Sequence, residues 1–369
     1  MKVPFLSFNR MHAAIRNDLV EATARVIDSG WFINGREVEA FEDAWAKYLA
    51  VEHSVGVSNG LDGLELSLRA LGIGAGDEVL VPSNTYIATA LAATHVGAKP
   101  VFVEPNMETS LLDLDRLDLL ESARTEKTRA IIPVHLYGQA VNMERLMEWA
   151  NNRGIWVIED NAQAHGAEWN GKRTGSWGHA NATSFYPGKN LGALGDAGAV
   201  STNDPDISDA IRRLRNYGSD VKYYNREVGF NKRLDEMQAA LLRVKLALLP
   251  QWTQERQKIA QHYHSELHEI GDLFLPQTAE GATHVYHQFV VRTRHRAALM
   301  KHLADRGIGS LIHYPVPPHL QECYVELGNR KGDFPIAEQL AEEVVSLPIW
   351  PGMTGAEVQA VTKAIREFF

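Results

Sequence analysis

A chain of 369 residues is too long for one simple hydrophobic core and suits a large domain with a smaller companion. Its 45% apolar and 22% charged residues are ordinary for a globular protein, and its net charge of −9 argues against nucleic acid or an anionic membrane as partner. The single cysteine, Cys323, cannot form an intramolecular disulfide, and the N-terminal stretch MKVPFLSFNRMHAAIRNDL lacks the apolar core of a signal peptide. No window approaches the roughly 18 uninterrupted apolar residues of a membrane span, so the chain reads as cytoplasmic.

In chain order, the spacing of apolar residues predicts a helix over 15–28, stopped at Ser29-Gly30, and a second over 38–49. Short β-like runs then alternate with helical patterns: a strand at 54–57, a helix at 63–71, a strand at 78–81, a helix at 87–95 and a strand at 100–103. Continuous apolar runs at 130–134 and 155–159 flank a helix at 143–153, and strands at 182–186 and 198–202 complete the set. A long helix over 236–249 ends at Pro250, which marks a boundary. Beyond it lie helices at 252–270, 296–306 and 355–369 and a strand near 285–292. This is an α/β pattern: a mostly parallel, mixed sheet flanked by helices in domain 1–250, and a smaller α/β domain over 251–369. There is no internal repeat and no low-complexity tract.

The chemistry concentrates in two stretches, VIEDNAQAHGA at 157–167 and ATSFYPGKNLGALGDAGAV at 182–200. Lys189 stands in a Gly-rich segment with almost no other charge, and Asp160 ends an apolar strand pattern. A lysine amine and a carboxylate delivered to one pocket are what pyridoxal 5′-phosphate requires: the amine bonds the cofactor aldehyde, and the acid keeps the ring nitrogen protonated. Isolation from water lowers a lysine from its free value of about 10.4, which favours the nucleophilic neutral amine. Ser58-Asn59-Gly60-Leu61-Asp62-Gly63, between a strand and a helix, presents free N–H groups to an anion. It matches neither GxGxxG nor GxxxxGK(S/T), and taken alone an ordinary capping turn is the better account of it. Tyr86 follows the strand at 78–81, at the sheet edge where ligands sit, and its ring suits stacking on a flat heterocycle. Gln163 is placed to pack on the cofactor or bond its ring oxygen, and Ser184 to donate to the phosphate. No HExxH or cysteine-rich spacing supports a metal site.

At this point the chain resembles the DegT–StrS family of nucleotide-sugar aminotransferases, which have the fold-type I pyridoxal phosphate architecture. The resemblance runs over the whole chain: SGWFINGREVEAFE (29–42), GDEVLVPSNTYIATALA (76–92), PVHLYGQ (133–139), the two stretches above, GFNKRLDEMQAALL (229–242) and IHYPVPPHLQ (312–321). It departs from the commonest wording at Gly188, where Thr often precedes the lysine, and at Ala197, where Gly is frequent.

The resemblance implies Lys189 as the Schiff-base lysine and Asp160 as the partner of the pyridinium nitrogen. It implies Gln163 and Tyr86 flanking the ring, and the phosphate on the amides of Gly60, Leu61 and Asp62 and the Ser184 hydroxyl. Asn231 of the GFN block would reach the phosphate of the neighbouring subunit, making a homodimer obligatory. L-glutamate would donate the amine and a nucleotide-linked keto-sugar accept it. NTYIAT, HVYHQFVVR and IHYPVPPHLQ resemble the subgroup aminating C-3 of dTDP-3-keto-6-deoxyhexoses more than the enzymes aminating C-4. Tyr186, His287, His313 and Tyr314 are candidate sugar contacts. A non-catalytic regulator on the same fold would not need Lys189, Asp160 and the phosphate turn together.

Overall fold

The computed structural model describes residues 2–369. Strands β1 (His53–Val57), β2 (Glu78–Pro82), β3 (Lys99–Val103), β4 (Thr128–Ile131), β5 (Trp156–Asp160), β6 (Ala180–Ser184) and β7 (Gly198–Thr202) form one seven-stranded sheet, ordered β1-β7-β6-β5-β4-β2-β3. Paired neighbours are parallel except that β7 runs antiparallel to both β1 and β6.

Successive side chains of a strand point to opposite faces, and here both faces are covered. Val79 and Val81 of β2 pack with Leu64 and Leu68 of helix Gly60–Ala70 and Ala90 and Ala93 of helix Ile87–His95. Leu80 between them joins Leu146 and Trp149 of helix Met143–Asn151 on the other side. Two dry faces explain why these strands read as unbroken apolar runs, and each fully buried Val or Leu contributes about 1.5–3 kcal/mol.

A separate core gathers the C-terminal elements. Strands β8 (Phe289–Arg292) and β9 (Val344–Leu347) pair antiparallel, backed by helices Leu249–Leu267, Arg296–Asp305 and Gly355–Arg366 around Tyr263, Phe289, Leu299 and Trp350. Val3 belongs to this core and bridges to Ile308, so the two ends of the chain meet there.

Three differences from the sequence reading have plain causes. Pro250 does not end a helix but opens one: helix Glu236–Leu246 stops, and Pro250 sits in the first turn of Leu249–Leu267, where its missing N–H is not needed. Helix Pro205–Leu214 was unexpected although its signal is clear, with Asp204 accepting from the N–H groups of Asp206 and Ile207 and proline in the first turn. Helices Asn9–Ala14, Leu117–Ala123 and Pro335–Glu343 are short and carry no comparable side-chain cap.

One buried ion holds the end of β5. Glu159 is fully buried, accepting from His135 Nε2 at 2.7 Å and from the N–H groups of Gly175 (2.8 Å), Trp177 (2.7 Å) and Gly178 (2.9 Å). His135 Nδ1 accepts from the Val141 N–H, which places the ring proton on Nε2. Burial alone would raise the Glu159 carboxyl, but the hydrogen bonds from His135 and the backbone outweigh it and hold it below the usual range. A depressed acid stabilises the fold above its unfolded value and loses that contribution as pH falls through the folded one. Glu159→Ala strands four buried donors and should cost about 3–5 kcal/mol; a denaturant midpoint unchanged from wild type would contradict this role.

Candidate active site

The carboxyl ends of β1, β2, β5 and β6 converge on one cleft, as expected of ligand sites in open α/β sheets. β6 ends at Ser184, and the loop carrying Lys189 folds back on itself. Phe185 N–H donates to Ala197 O at 2.7 Å, Ala193 N–H to Phe185 O at 2.8 Å and Lys189 N–H to Tyr186 O at 2.8 Å. Asn190 Nδ2 donates to Val285 O at 3.1 Å, tying the loop to the C-terminal half. Burial lowers the Lys189 amine to about 8, opposed by the charge of Asp160.

Asp160 is the last residue of β5 and is buried. Its carboxylate accepts from Thr89 Oγ1 at 2.8 Å and from Ala162 N–H at 3.2 Å. Burial raises its pKa; Thr89, Ala162 and the charge on Lys189 pull the other way.

The anion turn is formed as expected, with one refinement. Asn59 caps helix Gly60–Ala70 by accepting the Asp62 N–H at 2.9 Å, and Gly63 N–H donates to Asn59 O at 3.1 Å. The amides of Gly60 and Leu61 therefore remain as the open donors, while that of Asp62 is engaged. A Cβ on Gly60 would lie 2.7 Å from Ser184 Cβ, so only glycine lets the turn lie against the strand end. Ser184 Oγ accepts from Tyr186 N–H at 3.3 Å, which leaves its hydrogen free to donate.

Tyr86 is exposed at the start of helix Ile87–His95, tilted against Tyr314 with ring centroids 5.2 Å apart. Gln163 is pinned from both sides: its Oε1 accepts from Tyr137 N–H at 2.7 Å and its Nε2 donates to Tyr314 Oη at 3.0 Å. Burial raises the Tyr314 hydroxyl, which stays protonated at neutral pH. His287 Nδ1 lies 3.3 Å from Asn190 Oδ1, next to the lysine, and His313 Nδ1 lies 2.8 Å from Ser346 Oγ. Burial and then the charge of Lys189 hold His313 down to about 4 and push His287 well below its ordinary value. Tyr186 is exposed beside the lysine loop. Asn231 is exposed too, its backbone bridged to Asn216.

Sequence reasoning passed over two participants. Thr89, in the first turn of helix Ile87–His95, has its hydroxyl 2.9 Å from that of Thr85, which precedes the helix, and donates to Asp160. His165 sits under the lysine loop, its Nε2 3.0 Å from Ser184 O and its Nδ1 accepting from Leu191 N–H at 3.4 Å. Burial and then Lys189 bring it to about 3, so it is a neutral brace. No periodicity marked the first, since Thr85 lies outside the helix, and nothing in sequence marked the second.

A lowered amine, a buried carboxylate and a glycine-lined cradle with two open N–H groups and a free hydroxyl fit the aldehyde, ring nitrogen and phosphate of pyridoxal phosphate. Residues 13–366 match the model of the DegT/DnrJ/EryC1/StrS aminotransferase family. The erythromycin biosynthesis sensory transduction protein EryC1 of Saccharopolyspora erythraea is 50% identical over 354 residues, 96% of each chain. A dTDP-3-amino-3,4,6-trideoxy-alpha-D-glucose transaminase of Streptomyces venezuelae is 47% identical over 367 residues, 100% of this chain and 96% of that one. The crystal structure of S. venezuelae DesV in complex with a ketimine intermediate is similar at a TM-score of 0.97 and 47% identity, covering 99% of this chain and 98% of that one.

The lowered amine can be read directly. In cofactor-free protein, acylation of Lys189 followed by peptide mass should show a midpoint about 8, against about 10.4 for exposed lysines. Asp160→Asn removes the opposing charge and should move the midpoint lower still; a rise on that substitution would mean the two groups do not face each other.

Proposed function

The chain belongs to the DegT/DnrJ/EryC1/StrS aminotransferase family, and from that premise we propose that it transfers an amino group from L-glutamate to C-3 of a dTDP-linked 3-keto-6-deoxyhexose. The observation that carries this reading is the lowered amine of Lys189 facing the buried Asp160 beside the glycine cradle. Identity of 47% to a transaminase named for a 3-amino dTDP-sugar supports the position on the sugar. One relative at 50% identity carries a sensory transduction name, but a regulator needs no such amine, and Lys189 favours catalysis here.

Pyridoxal phosphate, the cofactor of this family, supplies an electron-accepting ring. The chain's own residues do the rest. Lys189, its amine lowered by burial to about 8, would be the nucleophile toward the cofactor aldehyde and then the base that moves a proton on and off the substrate carbon in each half-reaction. Asp160 would accept from a protonated ring nitrogen, and Thr89 holds the carboxylate in place. Gly60, Leu61 and Ser184 take the phosphate. Tyr86, tilted against Tyr314, and Gln163, locked by Tyr137 and Tyr314, would hold the ring. His287 and His313, kept neutral, and Tyr186 are placed to hydrogen-bond sugar hydroxyls.

We further take 1–250 as the cofactor domain and 251–369 as the smaller domain that brings His287, His313 and Tyr314 over it. Two copies complete the site, each lending Asn231 to the other's phosphate. The large apolar side chains Trp31, Phe32, Tyr217, Tyr223 and Tyr224 are exposed, which favours a second copy as their cover. The lone cysteine, Cys323, is free and exposed, in keeping with a cytoplasmic enzyme. No helix among the described residues is long and apolar enough to cross a membrane.

Protein reconstituted with pyridoxal phosphate should show the visible absorption of a lysine-bound cofactor, and Lys189→Ala should lose it while keeping the wild-type circular dichroism. A colourless wild type would refute the central claim. Incubation with L-glutamate and a panel of dTDP- and UDP-linked 3-keto and 4-keto sugars should give 3-amino product from a dTDP sugar; exclusive turnover of 4-keto sugars would establish the C-4 reading instead. Mixed dimers of Lys189→Ala and Asn231→Ala should regain turnover that neither homodimer shows, and no recovery would place Asn231 outside the shared site.

A further inference from the structure

The helix N-terminus that faces the phosphate carries an acid in its own first turn. Asp62 follows directly after the open amides of Gly60 and Leu61, so a free carboxylate there would repel a phosphate dianion and compete for the same donors. The structure ties both carboxylate oxygens elsewhere. Asp62 Oδ2 accepts from Ser58 Oγ and from Asn59 Nδ2, the latter at 2.9 Å. Asp62 Oδ1 lies 2.8 Å from Lys232 Nζ, which also lies 2.5 Å from Glu65 Oε2. Lys232 is mostly enclosed, its ammonium 5.0 Å from the Phe230 ring centroid. Its main chain grips the same turn: Ser58 N–H donates to Lys232 O at 3.2 Å, and Lys232 N–H to Arg215 O at 2.9 Å.

We propose that Lys232 is a positioning residue for the phosphate end of the cofactor, neutralising and orienting Asp62 so that the Gly60 and Leu61 amides stay open to a dianion. It touches no reacting atom; it acts through Asp62. The inference rests on the reading that this cleft takes pyridoxal phosphate. It adds a second duty to the segment that carries Asn231, since the residue beside the one lent to the partner secures the chain's own phosphate turn.

The test compares ligands with and without a phosphate. Apoenzyme resolved from the holoenzyme is titrated with pyridoxal phosphate and with pyridoxal, following tryptophan fluorescence, for wild type, Lys232→Met, Lys232→Arg, Asp62→Asn and Lys232→Met/Asp62→Asn. Lys232→Met should weaken pyridoxal phosphate about ten- to a hundredfold, the range of one unscreened like charge at a partly exposed site, and leave pyridoxal unchanged. Lys232→Arg should retain affinity, and the double variant should recover most of it, because removing the acid removes the need for the cation. Should Lys232→Met not fold, Asp62→Asn alone decides: it should tighten pyridoxal phosphate without altering pyridoxal. Equal weakening of both ligands, no recovery in the double variant, or weaker pyridoxal phosphate binding by Asp62→Asn would overturn the proposal and leave Lys232 a structural residue. A wild type that binds neither ligand would instead overturn the cofactor reading, a result distinct from wild-type binding that Lys232→Met does not disturb.

Discussion

The cleft exists because main chains from three strands approach closer than side chains normally allow. A Cβ on Gly60 would sit 2.7 Å from Ser184 Cβ, and one on Gly198 would fall 2.5 Å from the Asn59 carbonyl carbon. Gly198 pairs with Val57 on one side and Ser184 on the other, so the reversed strand β7 is what brings the anion turn after β1 beside the lysine loop after β6. Gly192 performs a similar service within the loop, where a Cβ would lie 2.2 Å from Pro187 O. Without these contacts the amine and the phosphate donors would be separated by a layer of side chains. Backbone approach, more than any single side chain, sets the distance over which a small cofactor can be held at both ends.

On that frame, burial does most of the electrostatic work. It pushes the amine of Lys189 down to about 8 and the carboxyl of Asp160 up; each group's charge favours ionisation of the other, but by less than solvent removal disfavours it. It also strips charge from the imidazoles around the lysine, with His165 near 3 and His313 near 4. Neutral imidazoles place no competing positive charge beside the amine. Aromatic partners then restrict motion without adding charge: His165 stacks on Phe185 at 5.7 Å, and Trp45 meets both edge-on.

Much of this was legible from residues alone, and what was not follows a pattern. Apolar runs located all seven strands of the sheet, because a strand buried on both faces leaves an unbroken signature. Lys189, Asp160 and the 58–63 turn stood out because charge and glycine are unusual in such surroundings. Contacts made through folding back, such as His165 beneath the lysine loop or Gln163 between Tyr137 and Tyr314, carry no periodicity and could not be read. The engagement of the Asp62 amide by Asn59 was equally hidden, although an Asn before a helix is a capping signal; a cap and an anion site use the same N–H groups, and only geometry divides them. Pro250 misled for a related reason, since proline ends one helix and opens the next with equal ease.

The two halves of the site are braced by one stretch of chain. Residues 231–233 staple the anion turn through Lys232, and helix Glu236–Leu246 follows at once. From that helix Gln238 Oε1 accepts the Leu194 N–H at 2.8 Å, and the buried Lys245 donates to Gly192 O at 2.7 Å, so two residues on one face hold the far side of the lysine loop. Glu236 at its start accepts the N–H groups of Gly35, Glu37 and Val38, capping helix Arg36–Leu49 beside the exposed Trp31 and Phe32. A segment with no reacting group of its own thus fixes the 58–63 turn, the lysine loop and the start of helix Arg36–Leu49 together. That accounts physically for GFNKRLDEMQAALL reading as one block: its residues are constrained by the geometry they impose on others.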